Sequence, residues 1–220
     1  NREPYYSIGD PFYSDLANYN IKIRTDKDVV IASSGNIISE TIKGNKKIYE
    51  VQGLFIRDFA LVASKEFKVA EDKIEGTTIK LYYLDEKPNM VQKSLQFSKD
   101  SIKVFNRIYG KYPYGVYSVV MTEFPSGMEY PGIVFISEEY FRYQVTDLLE
   151  SVIVHETAHQ WWYGLVGNNQ IDESWLDESL ATYSETLYHK EVYGDEKAKE
   201  YFDYNVKGGV KHESLQPRRC

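Results

Sequence analysis

The stretch SVIVHETAHQWWYG, residues 151–164, holds two of the four histidines of this 220-residue chain. On a helix, residues four apart lie one above the other, so His155 and His159 can bind the same metal ion. Glu156 then projects beside them, where its carboxylate can act on a water molecule. Because histidines also occur on helices for packing reasons, the pattern His-Glu-x-x-His needs a second, independent feature before it predicts a metal site.

The second feature is a third ligand, because a hydrolytic zinc site uses three protein ligands and one open position. Eighteen residues separate His159 from Glu178, which lies in the helical stretch WLDESLATYSE. The short link NNQIDE favours packing of the two helices against each other, which brings Glu178 towards the histidines. A carboxylate at a buried boundary is costly unless it is paired or binds a metal. The neighbours that place Glu178 at such a boundary are Trp175, Leu176, Leu180 and Ala181. We therefore predict one Zn²⁺ per chain, held by His155, His159 and Glu178.

Composition excludes several other classes of function. A net charge of -7 argues against a nucleic-acid partner, because binding to the phosphate backbone needs a basic face. The sequence has no apolar run of roughly 18 residues, so no membrane span is predicted in this segment. Cys220 is the only cysteine, which excludes an internal disulfide and a cysteine-based zinc site. The compartment and the oligomeric state are left open.

The first third of the chain has the pattern of short strands. The stretch YNIKIRT (19–25) alternates, with Ile21 and Ile23 on one face, and TTIKLYYL (77–84) is rich in β-branched and aromatic residues. Between them, Gly44 and Asn45 indicate a hairpin. Two further strands are predicted within 112–124 and 132–140, with Pro125 and Pro131 in the connection between them.

Helical periodicity dominates the remainder of the chain. The apolar pattern predicts a helix from Pro88 to Gly110. For the helix that carries the histidines we expect a capping box made by Asp147 and Glu150, and an end at Gly164 or Gly167. A second helix is expected from its cap at Ser174 to Gly194, followed by a third helical stretch over 195–206.

Two motifs resemble those of one enzyme family. HETAH, eighteen residues and then Glu178 resemble the zinc signature of the gluzincin aminopeptidases, the family of aminopeptidase N and leukotriene hydrolase. The family usually has Asn-Glu-Gly-Phe-Ala around the last ligand, whereas this chain has Asp177 and Ser179 beside Glu178. SGMEY at 126–130 resembles the family motif Gly-Ala-Met-Glu-Asn and retains Met128 and Glu129.

The resemblance implies roles for these residues. Glu129 is expected to bind the free α-ammonium group of a peptide, which would make peptides with a free amino terminus the substrates. Gly127 and Met128 belong to an edge strand that can pair with the substrate backbone. Glu156 is expected to act as general base. Glu185, two turns beyond Glu178, is a candidate for orienting a histidine ligand. We interpret His189 and His212 as surface residues.

The resemblance also implies an α+β fold in two parts. Residues 1–57 are expected to be the end of an N-terminal β-sandwich or saddle domain. Residues 58–220 would form a thermolysin-like zinc metallopeptidase domain, a mixed sheet with helices, that is incomplete at its C-terminus. The family's oxyanion-stabilising tyrosine is expected beyond residue 220, so we expect this segment to lack full activity on its own. Tyr204, in the stretch YNVKGG, is not assigned that role.

Two other functions are compatible with parts of this pattern. A thermolysin-like zinc endopeptidase shares His-Glu-x-x-His and a downstream Glu but has no need for the Met-Glu motif. A catalytically silent zinc-binding interaction domain would use the same ligands without turnover. The preferred side chain at the cleaved end is not indicated by either motif.

Overall fold

The computed structural model describes residues 13–207. The strands are β1 (Ala17–Asp26), β2 (Val30–Ser33), β3 (Asn36–Lys43), β4 (Lys46–Ile56), β5 (Leu61–Ser64), β6 (Lys68–Ile74), β7 (Thr77–Tyr83), β8 (Val116–Thr122), β9 (Gly127–Met128) and β10 (Ile133–Ser137). The helices are α1 (Pro88–Tyr109), α2 (Glu138–Arg142), α3 (Thr146–Ala158), α4 (Trp175–Tyr193) and α5 (Asp195–Tyr201), and a π-helix follows at Phe202–Val206.

The first strands form a three-stranded antiparallel sheet with the order β1-β4-β3. The predicted hairpin is confirmed, since β3 and β4 are joined at Gly44 and Asn45. Gly44 has a φ of 62°, a conformation that glycine adopts without steric penalty. Strand β2 does not belong to this sheet; it pairs with β5 in a separate two-stranded sheet.

The second sheet is mixed and has the order β6-β7-β8-β10-β9. Strands β7, β8 and β10 run parallel, and the outer strands β6 and β9 pair antiparallel with their neighbours. The sequence of the central strand β8, VYSVVMT, is almost continuously buried, as is usual for a strand covered on both faces. Helix α1 makes the crossover between β7 and β8.

Helices α1 and α3 cover one face of this sheet and form the main core with it. Four residues of α3 are fully buried there: Leu149, Ile153, Val154 and Ala158. A smaller core on the opposite face contains side chains from the sheet and from the β2–β5 region: Ala32, Ala60, Phe67, Tyr82, Val120 and Ile133. Helix α3 is therefore fixed against the sheet along its apolar side, which leaves its other side to carry the histidines.

The predicted ends of α3 are wrong. The helix begins at Thr146 after Val145, and no side chain caps it, so Asp147 lies in the first turn. The Glu150 carboxylate does not complete a capping box, because Oε1 accepts hydrogen bonds from the hydroxyls of Tyr188 (2.8 Å) and Tyr193 (2.6 Å).

At its other end, α3 stops at Ala158 rather than at Gly164 or Gly167. The carbonyls of His159, Gln160 and Trp161 accept hydrogen bonds from amides five residues further on, which makes wider turns than an α-helix. The turn requires glycine at residue 164, because a Cβ there would lie 2.6 Å from the Gln160 carbonyl oxygen.

The other helices agree better with prediction. Helix α1 ends before Gly110, and α4 (Trp175–Tyr193) ends before Gly194, as expected. Ser174 makes no side-chain cap, because its backbone is already helical. The expected third stretch is divided into α5 and the π-helix.

The fold is α+β, with mixed sheets and a layer of helices. The domain boundary at residue 57 stays a prediction. It directly follows β4, the last strand of the three-stranded sheet in chain order. Strand β2, before this boundary, nevertheless pairs with β5, which lies after it. None of the helices within residues 13–207 combines the length and the apolar character that crossing a membrane requires.

Ser126, just before β9, is a strained position. Its φ is 62°, in the left-handed region that costs a residue with a Cβ about 1–2 kcal/mol. The Ser126 carbonyl accepts a hydrogen bond of 2.8 Å from the Ser137 amide, which holds this turn against the end of β10.

We predict that Ser126→Gly raises the free energy of unfolding by about 0.5–1 kcal/mol, because relief of strain exceeds the added entropy of the unfolded chain. Urea denaturation measures the change. The matched control is Ser179→Gly in the exposed part of α4, which should lower stability. An unchanged or lower urea midpoint for Ser126→Gly would contradict the assignment of strain.

Candidate metal centre

Three side-chain atoms converge beside the C-terminal end of α3. Nε2 of His155 lies 3.1 Å from Nε2 of His159 and 3.2 Å from Oε2 of Glu178. Nε2 of His159 lies 3.8 Å from the same carboxylate oxygen. Tetrahedral zinc with bonds of about 2.0–2.1 Å separates its ligand atoms by roughly 3.3–3.4 Å. The three atoms therefore form a triangle of the size that one zinc ion needs, and the donor set of two imidazoles and a carboxylate suits zinc.

The outer nitrogen of each histidine is already engaged. Nδ1 of His155 lies 2.8 Å from Oε1 of Glu185, and Nδ1 of His159 lies 2.9 Å from the Trp162 carbonyl oxygen. Both partners are acceptors, so each Nδ1 carries the proton and each Nε2 is free to bind a metal.

The electrostatics of the cluster favour one positive charge, on His155, beside an ionised Glu178 carboxylate. Burial by itself lowers the pKa of His155, but Glu178, Glu185 and Glu156 outweigh it and raise the pKa well above 6.5. Burial and the neighbouring His155 charge lower the pKa of His159. Burial raises the pKa of Glu178, yet the two histidines bring it below its usual value.

Glu178 reaches the histidines from the first turn of α4. Its side chain is 44% exposed, whereas the His159 side chain is 1% exposed, so one side of the cluster is open and the other is closed. The four apolar neighbours of Glu178 differ in burial, and Trp175 is 63% exposed. Leu176 and Leu180 are half-buried, and only Ala181 is fully buried.

A buried carboxylate that sequence reasoning did not single out lies behind His159. Asp177 is 2% exposed, and its Oδ2 lies 3.7 Å from Nδ1 of His159. Asn168 donates a hydrogen bond of 3.2 Å to this carboxylate, and Gln170 donates another. Asp177 thus places a second negative charge on the outer side of the histidine pair.

The two other predicted glutamates face the same site. Glu156 is 5% exposed and Glu129 is 7% exposed. Glu129, Glu156 and His159 each offer an atom that lies within 4.8 Å of those of the other two. Gly127 packs directly on Glu156, since a Cβ at residue 127 would overlap its carboxylate. The edge strand β9 is therefore held close to α3 at the point where the glutamates meet.

Gln160 connects the segment after Glu129 to α3. Its Oε1 accepts a hydrogen bond of 2.8 Å from the Gly132 amide, and its Nε2 donates one of 3.3 Å to the Tyr130 carbonyl. Gln160 is 1% exposed, so this contact is protected from water. Its position directly after His-Glu-x-x-His was the only sequence signal for it.

The family-model comparison matches this chain to the peptidase family M1 domain over residues 89–219. The chain belongs to peptidase family M1. The resemblance to the gluzincin aminopeptidases is thereby confirmed, and M1 is a family of zinc metallopeptidases.

Relatives of this M1 chain carry aminopeptidase names. It is 28% identical over 207 residues to leucyl aminopeptidase of Saccharolobus solfataricus, covering 86% of this chain and 25% of that protein. It is 36% identical over 91 residues to aminopeptidase RNPEPL1 of Homo sapiens, covering 40% of this chain and 12% of that protein. It is 42% identical over 81 residues to aminopeptidase N of Streptomyces lividans, covering 34% of this chain and 10% of that protein. The chain spans a quarter or less of the length of each of these relatives.

The residues of the M1 chain that were given no role in the site lie in different environments. His189 is half-buried rather than at the surface, because its ring stacks on Tyr201 with centroids 4.0 Å apart. His212 and Cys220 lie outside the described residues. Tyr204, which received no catalytic role, is 82% exposed.

Proposed function

We propose that this chain carries the zinc site of an aminopeptidase, with His155, His159 and Glu178 as the metal ligands. The observation that carries the proposal is the triangle of 3.1, 3.2 and 3.8 Å among their ligand atoms. The hydrogen bonds at both Nδ1 atoms support it, since they leave the two Nε2 atoms as acceptors. Bound zinc would supply Lewis-acid catalysis and lower the pKa of a water molecule.

Glu156 is the proposed general base. It follows His155 directly in α3, and its buried carboxylate lies near His159 and Glu129. From this position it can accept a proton from the attacking water and deliver it to the leaving amine. Packing against Gly127 restricts the space available to the Glu156 side chain, which helps to hold it in one orientation.

Glu129 is the proposed binding group for the substrate's α-ammonium. It follows β9, the edge strand of the mixed sheet, and its carboxylate is buried close to the proposed catalytic base. A peptide that pairs with Gly127 and Met128 as an additional strand would extend from this carboxylate across the metal site. Because only a chain that begins at Glu129 satisfies its charge, this arrangement favours removal of one N-terminal residue.

The metal ligands are tested by zinc analysis of the purified chain after dialysis. We expect one zinc per wild-type chain, and a loss of affinity of more than about 100-fold in Glu178→Ala, which removes a ligand rather than an outer contact. The matched control is Glu173→Ala, an exposed glutamate in the preceding link that should retain zinc. Equal zinc content in wild type and Glu178→Ala would remove the third ligand from the proposal.

Substrate selectivity is tested with a peptide and its N-acetylated form. We expect cleavage of the free-amine peptide alone. Glu129→Gln should lower kcat/KM for it by about 30-fold or more, as loss of one member of a buried charge pair costs about 2–5 kcal/mol. The control Glu123→Gln changes an exposed glutamate in the preceding loop, between β8 and β9, and should have little effect.

The outcomes separate the alternatives. Equal cleavage of both peptides would contradict the aminopeptidase and favour an endopeptidase. Stoichiometric zinc without turnover of either peptide in the full-length protein would favour a zinc-binding interaction domain.

A further inference from the structure

A second layer of polar side chains lies behind His155, on the side away from its Nε2 atom. Glu185 of α4 is 5% exposed, and its Oε1 lies 2.8 Å from Nδ1 of His155. This contact sets which nitrogen of His155 carries the proton and fixes the plane of the ring. The orientation of His155 therefore depends on what holds Glu185.

The other oxygen of Glu185 is held by two hydroxyl groups. Ser151 of α3 donates a hydrogen bond of 2.7 Å to Oε2, and Tyr201 of α5 donates a second one. The two hydroxyl oxygens are 2.8 Å apart, so the three groups form a compact cluster. A hydrogen bond to a carboxylate is stronger than one between neutral groups, which favours both protons pointing to Glu185. With both oxygens engaged, the carboxylate cannot rotate without breaking one of these contacts.

Tyr201 is itself held in place because α5 packs against α4. Gly194 has a φ of 93° and joins α4 to α5, a conformation that favours glycine. The Tyr201 ring stacks on His189 at an angle of 23°, and Nδ1 of His189 lies 2.8 Å from the Glu185 carbonyl oxygen. Helix α5 thus contributes a hydroxyl to the cluster from a ring that is held in place independently of Glu185's carboxylate.

We propose that Ser151 and Tyr201 are positioning residues of the metal centre, which fix the Glu185 carboxylate and through it hold His155 in the orientation needed to bind zinc. The inference rests on the proposed function and adds that zinc affinity depends on the docking of α5. Three elements, α3, α4 and α5, supply the groups involved. Removing either hydroxyl leaves Oε2 with one partner and weakens the contacts that keep the carboxylate facing His155.

Tyr201→Phe tests this directly, because it removes the hydroxyl and keeps the ring that stacks on His189. We expect zinc affinity, measured by competition with a chromophoric chelator, to fall by about 10- to 100-fold, the range usual for loss of outer contacts at metal ligands. Ser151→Ala should lower it in the same direction. The Ser151 variant also keeps the test decisive if Tyr201→Phe does not fold.

The matched control is Tyr193→Phe. Tyr193 also donates a hydrogen bond to a buried glutamate, at 2.6 Å to Oε1 of Glu150, but Glu150 does not contact His155. In the zinc-free state, both tyrosine variants should have a similarly lowered melting temperature. Only Tyr201→Phe should bind zinc more weakly. The visible absorption spectrum of the Co²⁺-substituted chain gives a second readout, and we expect it to change in Tyr201→Phe and not in Tyr193→Phe.

Zinc affinity of Tyr201→Phe and Ser151→Ala within two-fold of wild type, with an unchanged Co²⁺ spectrum, would overturn the inference while leaving the proposed ligands intact. An equal loss in Tyr193→Phe would also overturn it, because the effect would then be general destabilisation. If the wild-type chain binds no zinc, the proposed function fails and the inference fails with it.

Discussion

The contact between Nε2 of His155 and Nε2 of His159, 3.1 Å apart with a carboxylate oxygen of Glu178 beside them, is the constraint on which the site depends. Three acceptor atoms at this distance repel one another unless positive charge lies among them. The raised pKa of His155 and the lowered pKa of Glu178 share a cause, because the imidazole and the carboxylate each stabilise the charged form of the other. Helices α3 and α4 supply these atoms and hold them together.

Packing explains how the helices maintain this geometry. Helix α3 is fixed to the mixed sheet by its buried apolar residues, and the wide turns after Ala158 place the Trp162 carbonyl against His159. Helix α4 packs on α3 and delivers Glu178 to one side of the histidines and Glu185 to the other. Gly127 of the edge strand packs on Glu156 of α3, and Gln160, just after α3, binds the connection that follows this strand, so the segment that carries Glu129 is held against the same helix. One helix thus organises the proposed ligands, the proposed base and the proposed substrate-binding carboxylate.

The sequence was most informative where chemistry fixes spacing. Two histidines four residues apart, and a glutamate separated from the second by eighteen residues, predict the cluster because helical geometry fixes which side chains share a face. The glycines at 110 and 194 likewise predict where α1 and α4 end. The capping box failed because Tyr188 and Tyr193, distant in the sequence, bind the Glu150 carboxylate. Ser151, Tyr201 and Asp177 could not be found in the same way, since their partners are set by helix packing and no motif spacing records them.

The most direct test of the metal site is anomalous X-ray diffraction at the zinc edge from crystals of the zinc-loaded chain. We predict one anomalous peak, about 2.0–2.2 Å from Nε2 of His155, Nε2 of His159 and a carboxylate oxygen of Glu178. A peak bound by other residues, or a Glu178 side chain turned away from the two imidazoles, would contradict it.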